Sequence, residues 1–365
     1  MQIISKQYTD LKLTYPLEKI APLSDVLFID IETTGFSATS SIVYLIGCAY
    51  YDGLQFTCRQ FFADKPIEEK DILREFLSFA SHFKVLIHFN GNNFDIPYIQ
   101  DKCKKYGYDC ILSNMKGVDL YKRTAPYKNF LKVPNCKQKT LEQYIGINRE
   151  DIYNGGELIN VYQEYVQLFN VDALTKLLLH NENDIQGMIQ LLPILAYSDI
   201  FNSKLVVTKV NMDRTMNFEG QESIDLIMKI VLPTALPGSI TCLSSGCYFK
   251  AEKNEAVLKV PVYEDTLKYF YAGYKDYYYL PLEDEALHKS VASFVDKDHR
   301  VQATAATCYT KVHSLFLRQW TNQFGPFYKR DYSSKELFIE LNSERKRDRE
   351  FFSEYASHVI NVLAY

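Results

Sequence analysis

The chain has 365 residues, of which 47% are hydrophobic and 24% are charged, and its formal net charge is −4. These proportions are ordinary for a globular protein and exclude a disordered or fibrous chain, and the length favours two domains. The acidic balance disfavours a protein that grips nucleic acid through bulk positive charge, but it permits a local site that recruits metal ions. No apolar run approaches the ~18 residues that a membrane span needs.

The N-terminal residues, MQIISKQYTD, lack the basic and apolar segments of a secretory signal. We therefore expect a cytoplasmic protein that has no membrane partner and whose eight cysteines are reduced thiols. None of the cysteines forms a C-x-x-C pair. The nearest two, Cys242 and Cys247, have no histidine cluster beside them, so a structural zinc site is not expected.

The first 200 residues alternate between strand-like and helix-like segments. Apolar, β-favouring runs cover residues 26–31, 42–51, 55–62 and 85–89, and helical spacing of apolar residues covers 68–83 and 94–106. The strongest helical pattern covers residues 171–195, with Asp172 as the expected N-cap and Pro193 near its end. This order predicts an α/β fold with a mixed sheet and helices on its faces.

The composition changes after Tyr197. Strands are predicted over 204–210, 239–249, 256–262 and 336–341, and helices over 283–294 and 343–363. We therefore expect a second, α+β domain, to which no motif assigns a function. The predicted divisions are an N-terminal extension (1–23), the first domain (24–198) and the second domain (199–365).

The charges of the two halves differ. Residues 201–365 carry equal numbers of basic and acidic residues, so the acidic excess lies in the first 200. Aromatic and basic residues are interleaved at 263–279 and 317–332, a composition that suits stacking on unpaired bases and contact with phosphates. The favoured interpretation is a domain core with a solvated edge, because this half has no net charge. The basic run 345–349 is expected on the exposed face of the last helix.

Two acids lie at the end of the first apolar strand. Asp30 and Glu32 are two positions apart, so their side chains project from one face of that strand. Burial of such charges without a partner costs roughly several kcal/mol, and divalent cations are a usual compensation. The alternative is that the strand ends at Ile29 and both acids are solvated.

Two further acids lie in predicted helices. Asp95 opens the helix that follows residues 90–93, where it suits a metal ligand and a partner of the helix dipole equally well. Asp184 lies one turn after His180, so the two share a face of the long helix, about 5–6 Å apart. The alternative for His180 is a satisfied core histidine. The four acids together indicate a site for two Mg²⁺ or Mn²⁺ ions, with a histidine as base.

Three motifs in order carry a family resemblance: Asp-x-Glu-Thr-Thr-Gly, Asn-Gly-x-x-Phe-Asp and His-Asn-x-x-Asp. They resemble the DEDD 3′–5′ exonuclease superfamily, which has the ribonuclease H-like fold. Residues 24–197 look most like the bacterial YprB-type ribonuclease H-like proteins. The resemblance implies a nuclease that uses two divalent cations and acts on nucleic acid, single-stranded or at 3′ ends.

The resemblance also implies roles for individual residues. Asp30 would bridge both metals, and Asp95 would support the second metal, partly through water. Glu32 and Asp184 would complete the first metal site. His180 would be the general base, although only three residues separate it from Asp184. That is the spacing of the superfamily's tyrosine branch, so an orienting role for His180 stays open.

Four polar residues would contact the nucleotide by the same resemblance: Thr33, Thr34, Asn90 and Asn92. The two asparagines are equally well explained as turn formers. One alternative to the exonuclease is a non-catalytic nucleic-acid-binding or adaptor protein on the same fold. The four acids disfavour this alternative and the histidine spacing favours it. Another is a hydrolase of nucleotides or other small phosphodiesters.

Overall fold

A computed structural model describes residues 1–148, 155–216 and 222–364 of the chain. The chain divides into two compact units. The first comprises Met1–Asp199 together with Leu236–Gly238, and the second comprises Ile200–Ala235 and Ser239–Tyr365. The short return of the chain to the first unit at Leu236–Gly238 is anchored by the Tyr197 hydroxyl, which donates to the Gly238 carbonyl at 2.9 Å. No sequence pattern predicted this return.

The first unit contains a mixed sheet. Its strands are β1 (Gln2–Tyr8), β2 (Val26–Thr33), β3 (Val43–Tyr51), β4 (Phe56–Phe62), β5 (Val85–His88) and β6 (Lys116–Asp119). The strand order is β1-β4-β3-β2-β5-β6. The pairs from β1 to β2 are antiparallel, whereas β2, β5 and β6 run parallel. The predicted mixed sheet is confirmed.

Helices cover this sheet. They are α1 (Glu69–Ala80), α2 (Asp95–Tyr106), α3 (Leu120–Thr124), α4 (Lys128–Leu131), α5 (Gln138–Tyr144), α6 (Gly155–Leu168), α7 (Val171–Leu191) and α8 (Leu195–Asn202). Leu27, Ile29 and Ile31 of β2 pack with α1 and α2 in one buried cluster. Because successive strand residues point to opposite faces, the alternate residues Asp30 and Glu32 point to the face where α7 lies.

Two details of the first unit differ from the predictions. Residues 1–23, treated as an extension, contain β1, which pairs with β4 along its whole length. In β1 only Ile3, Ile4 and Tyr8 are hydrophobic, so the segment lacks the apolar run that marks a buried strand. The N-cap of α7 is Asn170, whose side chain accepts the Asp172 amide proton at 2.9 Å. The prediction of Asp172 as the cap was therefore wrong, by two residues.

The second unit is rich in strands. They are β7 (Val206–Met216), β8 (Glu222–Val231), β9 (Ile240–Ser244), β10 (Cys247–Glu252), β11 (Glu255–Phe270), β12 (Tyr277–Leu280), β13 (Glu285–His288), β14 (Val301–Gln302), β15 (Tyr309–Gln319), β16 (Phe327–Tyr328) and β17 (Leu337–Glu340). A large sheet follows the order β16-β17-β15-β11-β10-β9, and β8 joins it to β7. A small sheet contains β13, β12 and β14. The helices are α9 (Lys289–Ala292) and α10 (Arg349–Ala364).

The predicted helix over 283–294 was wrong. Glu285–His288 instead forms β13, paired with β12, and only Lys289–Ala292 is helical. Pairing with the tyrosine-rich β12 overrides the helical spacing of this segment. The closing helix starts later than predicted, at Arg349, because the Asp348 carboxylate caps it by accepting the amide protons of Glu350 and Phe351.

The aromatic residues of the second unit contribute to its interior. Tyr328 of the second aromatic stretch is buried with Leu267, Phe316 and Phe338, and Tyr263 and Tyr269 of the first stretch are partly buried against this cluster, in agreement with the core interpretation. Among the residues that the structure describes, no helix combines the length and the apolar composition that a bilayer crossing requires.

Candidate metal-binding site

Asp30 and Glu32 lie on β2, the strand that joins the antiparallel and parallel parts of the sheet. Strand β2 continues through Thr33, so the alternative of two solvated loop acids does not hold. Glu32 is 7% exposed and Asp30 is partly buried. The strand thus presents two carboxylates from one face, as their spacing predicted.

Asp95 is the first residue of α2 and is 7% exposed. Its carboxylate accepts the amide proton of Ile31 at 3.2 Å. Because Ile31 lies between Asp30 and Glu32 in the sequence, this bond holds Asp95 against the part of β2 that carries the two acids. Burial raises its pKa to about 7, and the charges of Asp119 and Asp184 act in the same direction. The hydrogen bonds from the amides of Asp95 and Ile31 oppose this rise.

His180 and Asp184 face each other along α7. The Nε2 atom of His180 lies 3.3 Å from the Asp184 carboxylate and 3.6 Å from the Glu32 carboxylate. One ligand atom from each of these three residues falls within 4.8 Å of the others, a spacing that suits a metal ion. Gln138 of α5 donates to the Asp184 backbone carbonyl at 2.8 Å and so ties this turn of α7 to its neighbour.

The acids repel one another. The pKa of Asp30 is raised well above its usual value by burial first, and then by the charges of Asp184, Glu32 and Asp95. A hydrogen bond from Asn181 opposes this rise. Four carboxylates on β2, α2 and α7 thus share one region, and a bound divalent cation would remove the repulsion among them. The donor set, which is oxygen-rich with one imidazole, fits Mg²⁺ or Mn²⁺.

The predicted nucleotide contacts have structural partners in their own loops. The Thr33 hydroxyl donates to the Gly35 carbonyl at 2.9 Å, and the Thr34 hydroxyl accepts the Ile42 amide proton at 3.0 Å. Asn90 has a positive φ of 60°, and its side chain accepts a hydrogen bond from Asn93 at 2.7 Å. These contacts agree with the turn-forming alternative for Asn90.

Asn92 is exposed, and its side-chain oxygen lies near Gly117. A role for Thr33, Thr34, Asn90 or Asn92 in binding a nucleotide remains a prediction.

Two further polar residues support the Asp95 loop. Asp119 is buried, and its carboxylate accepts the amide protons of Asn90 at 2.9 Å and Lys122 at 3.2 Å. Its other oxygen lies 3.7 Å from Nδ1 of the buried His88. Asp119 therefore holds the turn that precedes Asp95. The only signal in the sequence is an acid at the end of a short strand.

Asn181, Gln60 and Gly47 were missed by the sequence analysis. Asn181 is fully buried, donates to the Asp30 carboxylate at 2.9 Å and accepts from Gln60 at 3.0 Å. The available signals were weak: a glycine inside an apolar strand and an asparagine beside His180. A glycine inside a strand often marks a close approach of another element, and α7 makes that approach here.

Comparison with known families agrees with the fold. Residues 27–196 match the model of the RNase H superfamily. The first unit, with its mixed sheet and flanking helices, is an RNase H-like domain. The match covers just under half of the chain and leaves the second unit outside. No curated protein sequence matches the chain.

Several solved structures are similar to parts of the chain. The family B DNA polymerase of the hyperthermophilic archaeon Pyrobaculum calidifontis is 14% identical over 70% of this chain and 36% of its own, with a TM-score of 0.38. E. coli exonuclease I in complex with a dA16 oligonucleotide is 13% identical over 57% of this chain and 55% of its own, with a TM-score of 0.28. The metal-free complex of E. coli exonuclease I with single-stranded DNA is 12% identical over 57% and 54%, with a TM-score of 0.32. The chain thus spans between about a third and somewhat more than half of these proteins.

Proposed function

We propose that the protein is a metal-dependent 3′–5′ exonuclease of the DEDD type, which hydrolyses phosphodiester bonds of single-stranded nucleic acid with two divalent cations. One observation supports this proposal above all: Asp30, Glu32, Asp95, Asp184 and His180 lie in one region of an RNase H-like domain. The order of these residues along the chain supports the 3′–5′ polarity, through the resemblance to the DEDD motifs. Within the DEDD type, the motifs resemble those of the bacterial YprB-type ribonuclease H-like proteins.

The carboxylates would hold the cations. The charges of Glu32, Asp95 and Asp184 all act on Asp30, which would bridge the two ions. Glu32 and Asp184 would complete one site together, and Asp95, held by the Ile31 amide, would support the other. Two bound Mg²⁺ or Mn²⁺ ions would supply a nucleophilic water at neutral pH and stabilise the leaving oxygen.

His180 is the proposed base. Its Nε2 atom points at the carboxylates of Asp184 and Glu32, so it can take a proton from a water molecule that these acids hold in place. The spacing of three residues puts His180 and Asp184 one helical turn apart on the same face of α7. The unusual spacing therefore brings the histidine to the carboxylates rather than away from them.

Phe36 is proposed to stack on a base of the substrate. It follows the acid motif directly, its side chain is 92% exposed, and its ring contacts Phe94 edge to face. Exposed aromatic rings bind single strands with little sequence preference, because every base has a π face. Thr33 and Thr34 shape the loop that presents this ring.

A labelled-oligonucleotide assay tests the proposal. Single-stranded DNA and RNA with a 5′ label are incubated with Mn²⁺, with Mg²⁺ or with EDTA, beside the Asp184→Asn variant. We expect a ladder that shortens from the 3′ end, and no products with EDTA or with the variant. Folded protein that cleaves neither polymer in Mn²⁺ would refute the exonuclease proposal and favour the adaptor alternative.

A further inference from the structure

Three residues on adjacent strands form a row beneath α7. Asp30 on β2 is in register with Gly47 on β3, and Gly47 is in register with Gln60 on β4. The middle position has no side chain, and Asn181 of α7 occupies the space above it. A Cβ atom on Gly47 would lie 1.9 Å from the Asn181 side-chain oxygen and 2.5 Å from the Ile185 Cδ1 atom.

Asn181 joins the two ends of this row by hydrogen bonds. The Gln60 amide nitrogen donates to the Leu178 carbonyl at 2.8 Å and to the Asn181 oxygen at 3.0 Å. The Asn181 amide nitrogen then donates to the Asp30 carboxylate at 2.9 Å. This series of hydrogen bonds joins the Leu178 carbonyl of α7 to Gln60 of β4. It then joins Gln60 to Asn181 of α7, and Asn181 to Asp30 of β2.

The direction of these bonds is fixed by chemistry. A backbone carbonyl only accepts, so the Gln60 amide must turn its nitrogen toward Leu178 and Asn181. The Asn181 oxygen must then face Gln60, which leaves its nitrogen to face Asp30. Both side chains are buried, Gln60 at 4% exposure and Asn181 at 0%, so unmade hydrogen bonds would be costly.

We propose that Gln60 and Asn181 form a positioning relay for the metal-binding carboxylate of Asp30. The relay holds one carboxylate oxygen of Asp30 and leaves the other oxygen to bind a cation. Asn181 directly follows His180 and precedes Asp184 by three residues, so the same bond sets the rotation of α7 over β2. The relay thereby fixes the distance between the acids of the strand and those of the helix. This inference rests on the proposed function only in assigning Asp30 to a metal.

Mn²⁺ affinity, measured on the full chain by electron paramagnetic resonance, tests the relay without the need for turnover. Asn181→Leu keeps the number and branching of the side-chain heavy atoms and removes the donor to Asp30, and we expect Mn²⁺ binding to weaken ~10- to 100-fold. Gln60→Met removes the donor to Asn181 but leaves Asn181 in place, and we expect a smaller loss in the same direction. Circular dichroism and thermal melting establish that each variant is folded.

Tyr162→Phe is the matched control. Tyr162 is buried in the same unit, and its hydroxyl donates to the Ala63 carbonyl at 3.0 Å, away from Asp30. It should lose stability and keep the Mn²⁺ affinity of the wild type. Wild-type affinity in a folded Asn181→Leu variant would overturn the relay. If Asn181→Leu does not fold, Gln60→Met decides in the same way.

The same titration separates the relay from the nuclease. Wild-type protein that binds Mn²⁺ but cleaves no oligonucleotide would refute the exonuclease proposal, and the affinities of the variants would still decide the relay. Wild-type protein that binds no Mn²⁺ would refute both.

A different observation concerns the second unit. A cavity of about 280 Å³ lies between β7 and the start of α10. Its charged lining residues are Lys209, Lys346, Arg347 and Arg349, and among the described residues no acidic side chain lines it. All four are exposed. The nearby Asp348 carboxylate is engaged in capping α10, and Glu350 pairs with Lys204 at 2.6 Å.

From this concentration of charge we infer that the cavity, termed the basic cleft, binds phosphates of single-stranded nucleic acid. The second unit has equal numbers of basic and acidic residues, so it does not attract phosphates through its net charge. The four basic side chains of the basic cleft would attract phosphates locally. A membrane surface fits less well. Its binding usually adds exposed apolar side chains, whereas Phe352, the aromatic residue of the lining, is buried.

Salt dependence of binding tests the basic cleft. Binding of labelled dT20 is followed by fluorescence anisotropy in EDTA, which makes the assay independent of the metal site. The double variant Lys346→Glu/Arg347→Glu should bind more weakly, with a log–log salt slope reduced by about 1.4 if each residue meets one phosphate. The control is Lys297→Glu/Lys335→Glu, which changes the charge equally at exposed lysines outside the lining.

Equal affinity and slope in wild type and cleft variant would overturn the inference. Sedimentation with vesicles that contain anionic lipid serves as the second arm. Loss of vesicle binding without loss of dT20 binding would assign the cleft to membranes and also overturn it.

Discussion

Asp95 in the first unit and Asp284 in the second unit have pKa values that are shifted in opposite directions. In the first unit, burial and neighbouring carboxylates raise the pKa of Asp95 to about 7. In the second unit, hydrogen bonds from Tyr279 and Tyr309 lower the pKa of Asp284 to about 2, and Lys311 acts in the same direction. Asp95 and Asp30 of the first unit lie close to other carboxylates, whereas Asp284 of the second unit lies beside two tyrosine hydroxyls and Lys311. A divalent cation bound among the carboxylates of the first unit would lower the raised pKa values of Asp30 and Asp95.

Removal of one acid from each unit should give the largest difference in nuclease activity. Asp30→Asn should lower nuclease activity by at least ~10³-fold, because the carboxylate that we propose to bridge the two ions is lost. Asp225→Asn in the second unit should leave activity unchanged, since Asp225 forms an ion pair with Lys259 at 2.8 Å away from the acid cluster. Rates of oligonucleotide cleavage at saturating Mn²⁺ measure both. Equal activity of the two variants would contradict the assignment.

The pH dependence of stability tests the raised pKa values of Asp30 and Asp95. The folded protein keeps the Asp95 proton up to about pH 7, whereas an unfolded aspartate releases it near the ordinary pKa of 3.8. Between these values the folded chain binds more protons than the unfolded chain. The free energy of unfolding without metal should therefore fall as pH rises through this window, by at most ~4 kcal/mol. The raised pKa of Asp30 acts in the same direction.

Denaturant unfolding in EDTA at pH 5, 6, 7 and 8 measures this fall. Asp95→Asn should flatten it and make the metal-free protein more stable at pH 8. Asp284→Asn is the control in the second unit, and it should leave the slope between pH 5 and 8 intact because Asp284 titrates at about pH 2. A wild-type protein whose stability rises over this range would contradict the raised pKa of Asp95.

A buried histidine from each unit gives a further test. His180 in the first unit and His358 in the second unit are each 6% exposed, and of the two His180 faces the carboxylates. His180→Gln should lower the cleavage rate by ~10²-fold, the lower end of the effect of a general base, with Mn²⁺ binding retained. His358→Gln should lower stability, because His358 accepts the Trp320 amide proton at 3.1 Å, and leave the rate of the folded enzyme unchanged. An active His180→Gln variant would remove the histidine from the chemistry.

Exposed phenylalanines give the smallest expected effect. Phe36 and Phe294 are both 92% exposed, one beside the acid motif and the other in the second unit. Phe36→Ala should raise KM for single-stranded substrate ~10-fold with little change in kcat, because stacking on one base is lost. Phe294→Ala should change neither constant. Steady-state kinetics with short oligonucleotides decide, and equal KM values for the two variants would exclude the stacking role.

Local patterns predicted much of the first unit. The apolar runs of β2 and β5 and the long helix α7 were recognisable from spacing alone, because each is a nearly continuous buried element. The acids were recognisable for a related reason: Asp30 and Glu32 interrupt an apolar strand, which is costly without compensation. The structure brings Asp95, His180 and Asp184 to the same place.

The rest depended on contacts between distant segments. The relay through Gln60 and Asn181 needs the register of three strands, which no local pattern contains. The helix predicted over 283–294 failed because β12 recruits part of it as a strand. The strand β1 was missed because its partner β4, rather than its own composition, makes it a strand.

We propose that the acids of β2, α2 and α7 hold two metal ions. Anomalous diffraction from Mn²⁺-soaked crystals would locate these ions. We expect two peaks ~3.5–4 Å apart, both in contact with Asp30, with Glu32 and Asp184 on one ion and Asp95 beside the other. Peaks located elsewhere, with no density at Asp30 at saturating Mn²⁺, would contradict it.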